Sequence, residues 1–213
     1  MSAAATIAPP WVVTASGRCV SLSAPTPDQI SIDDIALHLS RLPRFLGATR
    51  AAYSVAQHSC LVADILHRTL PNSPQLELAG LLHDAHEAFI GDIVTPVGWA
   101  LGVERLRGGR DADGGAGGDP ALDRLKRRMD RAIGASLGLA PASEADRDLI
   151  KQADRQAFRA EWRELMPGPC PGKPMADEWR GKIEPLAAGA AAVEFRCRFH
   201  RLKAAVAEKA AEA

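Results

Sequence analysis

The chain has 213 residues, and its 26 Lys and Arg balance 26 Asp and Glu, so no basic field argues for a nucleic-acid polymer as partner. The four cysteines, Cys19, Cys60, Cys170 and Cys197, form no CxxC pair, which argues against a zinc ribbon or disulfide framework and for a reducing, cytoplasmic setting. The opening MSAAATIAPPW lacks the features of a secretion signal, and no run approaches the roughly 20 apolar residues of a membrane span.

In chain order, Trp11 to Leu22 carries β-branched residues on either side of Ser16-Gly17, which fits a short β-hairpin or an irregular arm. Trp11 reads as hairpin packing. Ile32, Ile35, Ala36 and Leu39 recur at helical spacing, predicting a helix from about Ser31 to Leu42. Ser54 with Gln57 has capping-box spacing, so a second helix starts at Val55; His58 shares its inward stripe with Leu61, Val62 and Ile65. A lone His on such a stripe is usually a hydrogen-bonded core residue. Pro71 to Pro74 breaks this helix.

The next stretch, LAGLLHDAHEAFIGDIVTP (Leu78 to Pro96), sets His83, Asp84, His86 and Glu87 into an apolar helix-like run. Such groups are costly to bury unless paired or metal-bound. On a helix, Glu87 follows His83 by four residues and Asp84 by three, so the three project in neighbouring directions. Gly91 offers a stop, and Thr95-Pro96 opposes continuation of any helix. The glycine-rich residues from Arg107 to Gly118 read as a flexible surface loop.

Leu122, Leu125, Met129, Ile133 and Leu137 mark a further helix, closed by Gly138 and Pro141. Ser143 opens another, with the stripe Ile150, Ala153, Asp154, Ala157, Phe158, Glu161 and Leu165; Asp154 lies on its apolar side. Lys151 reads as a solvent-facing lysine, Cys60 as a small packing group, and Trp162 and Trp179 as core or dimer contacts. After a Pro- and Gly-rich loop from Pro167 to Pro174, an alanine-rich helix is expected from Ile183 onward, burying Phe195, Phe199 and Leu202. The plan is an arm (1–29), a main domain (30–166, with the glycine-rich loop at 107–119) and a C-terminal loop and helix (167–213).

Three helices thus each carry an awkward polar residue inward: His58, the pair His83-Asp84, and Asp154. Two imidazoles and two carboxylates suit a divalent cation such as Zn, Mn, Fe, Co, Ni or Mg, which would also relieve the burial problem. Glu87 would be placed to move a proton near such a site.

The order His58, His83-Asp84, Asp154 resembles the HD-domain metal-dependent phosphohydrolases. His83-Asp84-Ala85-His86-Glu87, then Gly91-Asp92 and Thr95-Pro96, resembles the 5′-deoxynucleotidase branch, whose bacterial and phage relatives include enzymes that hydrolyse dNTPs. Ser54 to Ser59 and Lys151 to Asp154 resemble that branch's first and last metal motifs, and the likeness runs from about Ile30 to Met166. It implies an all-α HD-domain bundle in which His58, His83, Asp84 and Asp154 bind one divalent ion, with Asp84 and Glu87 at the catalytic centre. Asp92, Ile93, Val94 and Thr95 would touch the nucleoside, and Arg44 would orient the phosphate. Phe45 stands where the nucleotidases tend to carry Trp, and the spacing from Arg44 to His58 differs slightly; both put base and sugar selectivity in question. His86, at a position usually small, reads as a core or supporting histidine.

The expected activity is hydrolysis of (deoxy)nucleoside 5′-monophosphates to nucleoside and phosphate. The alternatives are a dNTP triphosphohydrolase and a metal-stabilised module that senses nucleotides without turnover. The family likeness also suggests a homo-oligomer, with a dimer as the guess.

Overall fold

The structure, a computed structural model, describes residues 10–107, 119–170 and 179–212. A short antiparallel hairpin, β1 (Trp11–Val13) and β2 (Cys19–Ser21), precedes eight helices: α1 (Ile32–Arg41), α2 (Val55–Thr69), α3 (Pro74–Leu81), α4 (Glu87–Ile90), α5 (Thr95–Arg107), α6 (Pro120–Leu137), α7 (Glu144–Leu165) and α8 (Ala188–Ala211). The expected all-α bundle with a minor β element is what the chain forms. Among the described residues no helix is long and apolar enough to cross a membrane.

Helix α2 lies at the centre, packed by α1, α3, α7 and α8. Its two flanks face two apolar clusters. One gathers Val55 and Ala56 with Ile35, Leu39, Leu81, Met129, Ile133, Phe195 and Phe199. The other joins Val62, Ile65 and Leu66 to Leu76, Ile150, Ala153 and Ala157. Burying this much apolar surface drives the assembly. The close approach of α3 to α2 depends on Gly80, where an added Cβ would lie 2.2 Å from Leu66 Cδ1.

The hairpin is tied to the bundle by polar bonds. Buried Asp34 on α1 accepts from the Ser16 backbone N–H at 2.9 Å and from its hydroxyl at 2.6 Å. His38 reaches both ways: Nδ1–H donates to the Ala88 carbonyl at 2.8 Å, and Nε2 accepts from the Ala15 N–H at 3.0 Å.

The structure corrects three local expectations. The run from Leu78 is not one helix: α3 ends at Leu81, residues 82–86 form turns, and α4 begins at Glu87. No helix runs through Gly91 to Thr95-Pro96, but Thr95-Pro96 also opens α5, a helix the sequence reading did not include; Pro in a first turn lacks only an N–H that would be unpaired anyway. The last helix starts at Ala188 rather than Ile183, beyond Pro185. Residues 108–118 of the loop expected from Arg107 to Gly118, and the second half of the Pro167–Pro174 loop (171–174), lie outside the described residues.

Candidate metal centre

Ser54 caps α2, its hydroxyl accepting from the Gln57 N–H at 3.3 Å, and this fixes His58 on the first turns of the helix. Asp154 comes from the middle of α7, which a reciprocal Ser143–Asp146 capping box starts. His83 and Asp84 come from the turns between α3 and α4, held by bonds such as Ala85 N–H to Leu82 O at 3.0 Å and Glu87 N–H to Asp84 O at 2.9 Å. On a regular helix, consecutive residues diverge by about 100°. The turns instead let both neighbours face one point.

There the side chains meet. Asp84 Oδ2 lies 3.1 Å from His83 Nε2 and 3.7 Å from His58 Nε2. Asp154 Oδ1 lies 3.2 Å from His58 Nε2 and 4.0 Å from His83 Nε2. A cation with bonds of about 2.1 Å spaces adjacent ligands about 3.0–3.4 Å apart, so these separations need only small adjustments. Ligand atoms of His58, His83 and Asp84 all fall within 4.8 Å of one another, and Asp84, His86 and Glu87 form a second such group.

The hydrogen bonding of the rings carries the fit further. His83 Nδ1–H donates to the Gly80 carbonyl at 2.7 Å, and His58 Nδ1–H donates to Glu161 Oε1 at 2.6 Å. In the neutral ring each Nε2 therefore presents a lone pair, and both Nε2 atoms are buried without a hydrogen-bond partner. A ring anchored through Nδ1, with a bare Nε2 aimed at carboxylates, is how metal-ligating histidines are held. The residues present fit a divalent cation.

The electrostatics point the same way. Burial works against protonating His83, but Asp84 and Asp154 outweigh it and push its pKa up to about 9. His58 is also raised: burial and Arg44 oppose the proton, and Glu161 and Asp154 overcome them. Burial alone would raise Asp84, yet His83, His58 and Arg44 hold it below the usual carboxylate range. A cluster this rich in anions keeps positive charge on its imidazoles, and a proton and a cation compete for the same Nε2 lone pairs. Glu87, 4 % exposed, is pushed up to about 9 by burial and by Asp84 and Asp92. The shift favours its protonated, neutral form in the metal-free site.

The centre forms part of the wall of a cavity of about 760 Å³, to which Asp84, Glu87 and Asp154 contribute. Asp154, its side chain 42 % exposed against 18 % for Asp84, is the open side of the cluster. Arg44, Phe45, Asp92, Ile93, Val94 and Thr95 line the same cavity. The candidate residues of the sequence thus share one site. Arg44 is placed by the pairing of Pro43 with Ser54 and by its N–H donating to the Tyr53 carbonyl at 2.9 Å. Its Nε is buried without a partner, as are Glu87 Oε2 and Asp92 Oδ2. His86 has its Nδ1 2.9 Å from Asp130 Oδ1 and its Nε2 buried and unpartnered.

One residue had no role in the sequence reading. Glu161 is fully buried and collects three groups: His58 Nδ1–H, the Tyr53 hydroxyl at 3.1 Å, and Arg44 Nη2 at 3.4 Å. His58 and Arg44 hold its carboxyl below the ordinary range despite burial. A signal was available: Glu161 follows Asp154 by seven residues, which on a helix is the same face two turns on.

No family model matches the chain. Over 95 residues it is 45 % identical to an uncharacterized protein of Rhodobacter capsulatus, covering 43 % of this chain and 48 % of that protein. The match therefore spans about half the length of this relative. Over 155 residues it is 29 % identical to the uncharacterized protein YfdR of Escherichia coli, covering 73 % of this chain and 72 % of YfdR. Neither name states an activity. The site is a cluster of His, Asp and Glu side chains able to coordinate a metal ion, consistent with a metal-dependent, hydrolase-like module in general.

Proposed function

We propose that the protein is an HD-type metal-dependent phosphohydrolase that converts (deoxy)nucleoside 5′-monophosphates to nucleoside and phosphate. The observation that carries this reading is the convergence of two bare, buried imidazole Nε2 atoms on Asp84 and Asp154, beside a cavity that is also lined by the partly buried Arg44 and the buried Glu87. His58, His83, Asp84 and Asp154 would hold the cation. When bound, a divalent ion supplies Lewis-acid polarisation and lowers the pKa of nearby water.

The chain's own groups supply the rest. Arg44, with its unpaired Nε–H, binds phosphate oxygens and offsets their charge as the phosphorus is attacked. Water forms the new P–O bond while the bond to the 5′-oxygen breaks. Glu87 donates its proton to that leaving oxygen and recovers one from the attacking water. Asp92 accepts a hydrogen bond from a sugar hydroxyl, and Ile93 to Thr95 form the adjoining wall.

A triphosphohydrolase is the second reading, favoured by Arg155, a further cation on the cavity wall. The deciding experiment is a panel of dAMP and dATP with Mn, Co, Zn or Mg and the purified protein. Inorganic phosphate from dAMP supports the proposal, and triphosphate from dATP supports the alternative. Binding of both without release of either would reduce the protein to a sensor.

A further inference from the structure

His86 comes from the same turns as His83 and Asp84, yet it takes no part in the centre described above. It is 6 % exposed and stands where the nucleotidase pattern is usually small, so the family likeness does not account for it. Its Nδ1–H donates to Asp130 Oδ1 on α6 at 2.9 Å, and the tautomer this bond fixes leaves a lone pair on Nε2. That Nε2 is buried with no hydrogen-bond partner. A buried acceptor left bare costs stability unless something occupies it. His58 on Glu161 and His86 on Asp130 are thus held alike, each anchored to a carboxylate through one nitrogen and bare at the other, which is how metal-ligating imidazoles are presented.

The neighbours of His86 complete a donor set. One ligand atom from each of Asp84, His86 and Glu87 lies within 4.8 Å of the other two. Glu87 is 4 % exposed, and its Oε2 is likewise buried without a partner. Asp84 turns Oδ2 toward His83 and His58, at 3.1 and 3.7 Å, which leaves its second oxygen to serve another ion. Two carboxylates and an imidazole suit a divalent cation of hard or borderline character, with water completing the shell. In two-metal sites the ions stand about 3.5–4 Å apart, a span that one shared carboxylate bridges.

We propose that Asp84, His86 and Glu87 form a second divalent-cation site, bridged to the first through Asp84, and that filling it inhibits turnover. The inhibition rests on the phosphohydrolase reading above, whereas the site itself does not. This site fills last, because it offers three protein donors against four and its ion is repelled by the one already bound. Once filled, it holds the Glu87 carboxylate by its oxygen, and Glu87 no longer passes a proton to the leaving oxygen. A rising cation concentration therefore activates first and then slows the reaction.

The test is a Mn²⁺ titration of the full chain followed by electron paramagnetic resonance, which counts bound ions and detects spin coupling between two that share a carboxylate. Phosphate release from dAMP is measured over the same range. The wild-type chain should bind two Mn²⁺, the second more weakly and coupled to the first, with release falling as it binds. His86→Ala should bind one, at the affinity of the first site, and lose the falling limb. Asp130→Asn, which leaves His86 in place, should weaken the second site alone by about 10- to 100-fold. A single Mn²⁺ per wild-type chain at saturation overturns the proposal without recourse to any variant. A second ion that is uncoupled from the first, or that persists in folded His86→Ala protein, does the same. Release that keeps rising while the second ion binds overturns the inhibition. Two coupled ions, the second lost with His86, but no phosphate from dAMP at any Mn²⁺ concentration would sustain the site while sinking the hydrolase assignment.

Discussion

Glu161→Gln probes the arrangement at its most connected point. The substitution keeps the shape of a fully buried side chain and removes its charge. With the amide oxygen in the Oε1 position, His58 Nδ1–H and the Tyr53 hydroxyl retain their acceptor. The amide NH₂ then faces Arg44 Nη2, donor against donor, where a 3.4 Å ion pair had been. Stripping one partner from a buried pair costs about 3–5 kcal/mol when nothing compensates. Arg44 also feels Asp84, Asp154 and Asp92, so we expect about 2 kcal/mol here. For a chain of this size that corresponds to a fall in Tm of about 4–8 °C. The same change weakens the support of His58, and cation affinity should drop about tenfold, the low end for losing such a partner. Calorimetric melting of the metal-free protein at pH 7 and titration with Mn²⁺ measure the two effects. A Tm within about 1 °C of wild type together with unaltered Mn²⁺ affinity would refute the reasoning.

Glu87→Gln should retain the cation and the fold yet lose turnover by at least ~100-fold, as removal of a proton-transfer group does; undiminished phosphate release would discard that role. Asp154→Asn takes a charged donor from the centre, and its Tm should no longer rise on adding Mn²⁺; a wild-type thermal shift would place Asp154 outside the site. The stability profile has a defined sign. Without cation, the contribution of His83 is full below pH 6.5 and is lost as pH climbs through about 9. Glu87, shifted from 4.5 to about 9, acts in the same direction. The metal-free Tm therefore declines between pH 6.5 and 9, while the gain from Mn²⁺ grows as the imidazoles give up their protons. A larger gain at the acidic end of that interval would contradict the competition between proton and cation.

Much of the bundle was legible because α2, α6 and α7 bury one face each and carry ends that the sequence marks: Ser54 for α2, Gly138 for α6 and Ser143 for α7. Where the reading failed, no local signal opposed it. Nothing between Leu81 and Glu87 is a helix breaker, and the turns there follow from bringing His83 and Asp84 to one point, a demand set by distant residues. Helix α5 escaped notice because Val97, Trp99, Leu101 and Val103 stay exposed and trace no inward stripe. The four clustered candidate ligands were readable as polar residues misplaced on apolar faces. Glu161 met that same criterion and was passed over as one more member of the α7 stripe. Phe158 and Trp162 were read as packing, since a periodicity cannot tell a ring that closes a core from one that borders a cavity.

The bridge made by His38 gives the N-terminal arm a reach that its small size conceals. One imidazole grips the hairpin through Ala15 and, with its other nitrogen, the carbonyl of Ala88, the residue after Glu87. Displacing the arm would release the strut behind the acid proposed to handle the proton, so a short surface ornament is mechanically continuous with the candidate site.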